Sequence, residues 1–133
     1  MLHDPSHREP PPVAEPIRLS DTERSVLRSL GERVAEIASD PSNSEKAGLW
    51  RDLNDLQSRR PMVWINEIPW HEMNWEDELT LRCEGKWARD LEDRLRKTIY
   101  QWNHMRGDMI VNPWFECPKA IHSTDFGIIE ETD

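Results

Sequence analysis

The stretch WINEIPWHEMNWEDE, residues 64–78, gathers five carboxylates, an imidazole, two amides and three indoles in fifteen positions. Glu67 lies between Trp64 and Trp70. A carboxyl group partly withdrawn from water by such neighbours has a raised pKa and can serve as a general acid or base. His71 adds a second group able to carry a proton. Glu67 and His71 are therefore the candidate catalytic residues. Asn66, Trp70, Glu72 and Trp114 are candidate ligand-binding residues, with Trp70, Trp75 and Trp114 able to stack on a flat ligand. The stretch has a second reading, as a short connection that caps the next helix. Glu67 is then a solvated or capping carboxylate, His71 a surface histidine, and the tryptophans pack beneath neighbouring helices.

Several chemistries are excluded by spacing. His71-Glu72 opens the pattern of a zinc-protease helix, but position 75 is Trp where a second His is required. Cys117 and His122, with a distant His71, form a soft donor set whose geometry nothing fixes, and no metal is assigned. A glycine-rich phosphate loop and a nucleophile elbow are both missing.

Net charge is −9 over 133 residues, with a pI of about 5.0. Such a surface repels phosphate backbones and anionic lipids, and the basic residues are scattered among acids, so nucleic acid and membrane are not expected partners. With mean hydropathy −0.84, no apolar run reaches the roughly 20 residues that a membrane span needs. No secretory pattern is evident at the N-terminus. Two cysteines, Cys83 and Cys117, read as reduced thiols of a cytoplasmic protein.

The elements that must position these residues follow from periodicity. Residues 1–19, with five prolines, read as a flexible tail. Residues 20–58 read as a helical segment. Its first helix opens on the capping box Ser20-x-x-Glu23, carries Val26, Leu27, Leu30, Val34, Ile37 and Ala38 on one stripe, and stops before Pro41. Its second helix is capped by Ser42 or Ser44 and carries Ala47, Trp50, Leu53, Asn54 and Leu56. Residues 61–65 form an apolar, β-prone run that predicts a strand covered on both faces. A long helix over about 86–105 places Trp87, Leu91, Leu95, Ile99 and Trp102 on one stripe, with Glu92 and Arg96 as an exposed pair and Gly107 at the stop. Residues 109–114 predict a second strand, and 126–129 a short apolar piece. Strand, helix and strand in this order make a parallel βαβ unit. Two strands make a poor sheet, so residues 59–133 read as the opening of a larger α/β domain. The chain is then either a fragment or one that completes its sheet with another subunit, as in a homo-oligomer.

The segments EKAGLWRDLNDLQSRRP, RPMVWINEIPWHEMN and MIVNPWFECPKAIHSTDFGI resemble the N-terminal part of the uroporphyrinogen decarboxylase-like superfamily. More narrowly, they look like its members grouped with corrinoid-dependent methyltransferases. The spacing of Trp50, Arg51, Asp52, Asn54 and Leu56, leading to Arg60-Pro61, carries most of the resemblance, which spans about residues 21–133. It implies an α/β fold: N-terminal helices followed by the first βα units of a TIM-type barrel, here a partial barrel. It also implies a first-strand rim at Asn66, Glu67, Trp70 and His71, because such barrels keep their reactive groups at strand C-termini. The parent activity so implied is methyl transfer involving a corrinoid partner protein, with zinc held by His and Cys from later strands. Glu67 and His71 stand where porphyrinogen decarboxylases carry arginines, and a carboxylate there would repel a polycarboxylated porphyrin. A complete barrel needs about 250 residues. The chain is therefore expected to be inactive alone. An oligomerising interaction module and a small-ligand-binding protein are the alternatives.

Overall fold

The computed structural model describes residues 16–116. They form three α-helices, α1 (Asp21–Ala38), α2 (Ser42–Asn54) and α3 (Lys86–His104), with two short 3₁₀ turns at Trp70–Glu72 and Trp75–Asp77. Most of the expected tail, together with Cys117, His122 and the apolar piece 126–129, lies outside the described residues.

The first helix forms as its capping box predicts. The Glu23 amide donates to Ser20 Oγ, and the Glu23 carboxylate accepts from the Ser20 amide. Leu27, Val34 and Ile37 are buried along α1, with Val26, Leu30 and Ala38 packed at the margin. They meet Ala88, Leu95 and Trp102 of α3, flanked by Leu91 and Ile99. Cys83, Met109 and Val111 close the core from the segments on either side of α3. Each large side chain in this cluster contributes about 1.5–3 kcal/mol by leaving water. Trp87 lies off the buried stripe and is exposed, because Ala88 and the acid Glu92 take the inward positions one turn apart. The second helix differs from expectation at both ends. No side chain of Ser42 or Ser44 caps it; Asp40 Oδ1 accepts the Ser42 amide instead. Leu56 lies beyond the helix end with a left-handed φ of 61° and is 93% exposed.

The expected α/β architecture is corrected. Among the described residues there is no strand, and so no βα unit of a TIM-type barrel and no partial barrel. Residues 61–65 and 109–114 do not pair in a ladder, and the backbone bond between the two regions is Asp108 N–H to Val63 O at 2.8 Å. The reason lies in the neighbouring groups. The Val63 amide, which a ladder would use, donates to the Asp108 carboxylate at 2.8 Å. The Ile65 carbonyl accepts from the Gln101 side chain. Pro61 and Pro113 have no amide to give. Gly107, at φ 50°, lets its backbone approach the Val63 carbonyl so closely that an added Cβ would stand 2.9 Å from it. An apolar, β-prone run whose backbone is taken by these side-chain partners remains without secondary structure.

The two core helices run in the same direction. At one end the Glu84 and Gly85 amides, before α3, donate to Glu23 in the first turn of α1. At the other, Asn43 donates to Ile37 O near the end of α1 and accepts from the Val111 amide beyond α3. Residues 60–84 therefore return along α3 as a strap, from its C-terminal end to its N-terminal end. Ile65 touches Gln101, Trp70 lies against Tyr100, the Glu78 carbonyl accepts from Arg96, and the Arg82 and Cys83 amides reach Glu92.

Candidate functional site

A chain segment without secondary structure leaves backbone amides that must find acceptors. Three carboxylates meet that need here, and all three are ionised in the fold. Asp108 accepts the Val63 amide and two Arg60 bonds, Nη2 to Oδ1 at 2.6 Å and Nη1 to Oδ2 at 3.1 Å. The Arg60 guanidinium, then the Val63 amide, hold the Asp108 carboxyl down at about 2. Glu92 accepts the Arg82 and Cys83 amides and Arg96 Nε at 2.8 Å. Burial pushes Glu92 up, but these donors outweigh it and leave its pKa below the usual carboxylate range. Glu23, bonded to the Ser20, Gly85 and Glu84 amides, is held at about 2. These acids fasten the strap at its start, near its end and at its junction with α1. A carboxylate saturated with donors is a poor proton acceptor at neutral pH.

The residues singled out by sequence lie along the middle of the strap, and the structure does not assemble them into a reaction centre. Asn66 and Glu67 are exposed, and among the described residues neither side chain has a hydrogen-bond partner. His71 has a side chain 80% exposed and contacts Glu72 at 3.3 Å. Trp70 is half-buried: its ring meets Tyr100 edge-on at 6.2 Å, with Lys97 Nζ 5.6 Å from its centroid. That is packing of the strap on α3. Trp114 is exposed, in the segment after α3. Of the six, His71 and Glu72 are brought into contact.

A cleft of about 390 Å³ opens elsewhere, between the starts of α1 and α3, lined by Ser20, Thr22, Glu23, Arg82, Glu84 and Gly85. Its buried acid is the Glu23 carboxylate already described. That carboxylate is committed to joining the two helices, through the Ser20, Glu84 and Gly85 amides.

What the strap does present is apolar surface. Val63 and Trp64 are exposed, Trp64 at 46%, although the backbone beneath them is fixed by Asp108. Trp50 backs this surface. Its Nε1 donates to the Asp108 carbonyl at 2.9 Å, and its ring meets Trp64 edge-on at 6.1 Å. The spacing of Trp50 and Arg60-Pro61 thereby acquires a structural meaning, because both residues dock on Asp108. Asp108 was missed by sequence reasoning. Its only local signal was a charged residue directly after the helix-stopping Gly107.

Among the described residues no group of three His, Cys, Asp or Glu side chains is placed to hold a metal ion. Burial first, then Glu92, pushes the Cys83 thiol up to about 11. No helix of the described residues is long and apolar enough to cross a membrane. No protein-family model, no curated protein and no solved structure matches this chain.

Proposed function

We propose that this chain is a docking module of the uroporphyrinogen decarboxylase-like group, without a complete active site of its own. The surface around Val63 and Trp64, backed by Trp50, would pack on the remaining part of such a protein. Methyl transfer with a corrinoid partner would belong to that assembly. The observation that carries the docking reading is Trp64. This indole, 46% exposed, directly follows Val63, whose amide and carbonyl are both bonded to Asp108. Ordered aromatic side chains with apolar neighbours are what protein interfaces use as anchors, because little entropy remains to be lost on binding. The group is named from the pattern Trp50, Arg51, Asp52, Asn54, Leu56 and Arg60-Pro61.

The test uses the purified 133-residue chain and a uroporphyrinogen decarboxylase-like methyltransferase deleted for its corresponding N-terminal segment. Co-elution on size exclusion, with a Kd of roughly micromolar or tighter weakened about tenfold by Trp64→Ala, is the expected result. Failure to associate, or turnover of a methyl donor with free cobalamin by the chain alone, would overturn the reading.

A further inference from the structure

We propose that Trp75 is the anchor of a second contact, made with an apolar slot rimmed by arginine or lysine on a protein partner. The inference deepens the docking reading and rests on it in one respect, that the chain acts by binding another polypeptide.

Trp75 is 65% exposed, the most exposed aromatic residue among those described. Its loop is built to be rigid. Asn74 closes it on both sides: Oδ1 accepts the Leu79 amide at 2.9 Å and Nδ2 donates to Thr80 Oγ1 at 3.1 Å. Inside, the Glu78 amide returns to the Trp75 carbonyl and the Thr80 amide to the Asp77 carbonyl. Glu76 and Asp77 take consecutive left-handed conformations, φ 50° and 60°, which side-chain-bearing residues avoid unless their surroundings impose them. Two bonds then tie the loop to α3, Arg96 Nη1 to the Glu78 carbonyl at 3.0 Å and His104 Nε2 with Glu78 Oε1 at 2.8 Å. An exposed indole held in this way is preorganised for binding.

Charge then selects the partner. Residues 71–78 hold four acids, Glu72, Glu76, Asp77 and Glu78, and no lysine or arginine. Glu72, Glu76 and Asp77 are exposed. An indole flanked along the chain by exposed carboxylates is repelled by nucleic acid and by anionic lipid, and equally by the same loop of a second copy. It is complementary to an apolar slot with a basic rim, where the indole supplies contact area and the acids supply register.

The test uses the full chain labelled with 5-fluorotryptophan, so that each indole gives its own ¹⁹F resonance, with Trp75 assigned by Trp75→Phe. The probe is a synthetic amphipathic helix with a leucine stripe bordered by arginines. Controls replace its arginines by glutamate, or its leucines by serine. The expected result is a shift of the Trp75 resonance by the Arg/Leu helix alone. Trp75→Ala should weaken binding about tenfold and Trp64→Ala less than about threefold, with Glu76→Gln/Asp77→Asn reducing the salt dependence. Circular dichroism of Trp75→Ala verifies that the fold is kept. No binding at about 1 mM, equal binding by either control helix, or an unaffected Trp75→Ala variant would overturn the inference. The docking reading fails separately, by absence of association with the truncated methyltransferase.

Discussion

Arg60 and Asp108 close a two-bond clamp across 48 positions of sequence, Nη2 to Oδ1 at 2.6 Å and Nη1 to Oδ2 at 3.1 Å. The same carboxylate takes the Val63 amide, so one side chain fixes the strap against the end of α3. Asp108→Ala leaves a guanidinium and a backbone amide without their acceptor. Hydrogen bonds to charged groups are worth about 1.5–3 kcal/mol, and the half-exposed Arg60 recovers part of that from water. A loss of about 2–3 kcal/mol on urea unfolding is expected, with fast hydrogen exchange at the Val63 amide. An unchanged exchange rate at Val63 would show that the clamp does not hold the strap.

The three buried acids give the fold a defined acid limit. Glu23 and Asp108 are held at about 2, against ordinary values of 4.5 and 3.8, and Glu92 is lowered in the same direction. A group with a depressed folded pKa stabilises the fold fully above its unfolded value and loses that contribution as pH falls through the folded one. Stability should therefore be level in this respect from neutrality to about pH 4.5, then decline between about pH 4 and 2. Urea midpoints across that range test it. A midpoint constant down to pH 2.5 would contradict the ionised assignment.

Much of the helical scaffold was legible in the sequence, and the strap was not. The capping box at Ser20 and Glu23 and the stripe Leu27, Val34, Ile37 are local signals, complete within a few turns of chain. The run Val63-Trp64-Ile65 has the composition of a buried strand, yet its fate depends on Asp108 and Gln101, roughly forty residues away. With no partner strand among the described residues, β-prone side chains remain outside, and Trp64 is exposed. The candidate residues Glu67 and His71 were placed at a strand end, so losing the strand removes the geometric ground for gathering them. Glu92 was misjudged for a different reason. Its spacing to Arg96 reads as a surface pair, but it also lies four residues after Ala88 and three before Leu95, on the inward stripe.

That position makes Glu92 the most sensitive acid among the described residues. It is 0% exposed, and its partner Arg96 has a side chain only 12% exposed. Removing one member of a buried, hydrogen-bonded ion pair strands the other charge, at a cost of about 3–5 kcal/mol. Glu92→Ala should unfold at a markedly lower urea concentration than Lys86→Ala, whose partner Asp90 lies with it on the exposed face and whose loss should cost below about 1 kcal/mol. Equal midpoints for the two variants would show that Glu92 is not carrying the Arg82 and Cys83 amides.

Cys83 reports the same region without altering it. Its side chain is buried in the core beside Glu92, and burial with that negative charge pushes the thiol up to about 11. The thiolate is the nucleophile, so both access and ionisation protect it. In a Cys117→Ser variant the remaining thiol should be inert to Ellman's reagent at pH 8 in the native state and react fully in urea. Its rate at intermediate urea should follow global unfolding, because Cys83 packs with α1, α3 and the segment 109–111 together. Adding Glu92→Gln, which removes the negative charge but keeps the side-chain volume, should accelerate the reaction even where the chain remains folded. If Cys83 reacts at the same rate in both backgrounds, the end of the strap opens independently of its carboxylate, and the picture of a chain segment fastened by three acids reduces to Asp108 and Glu23.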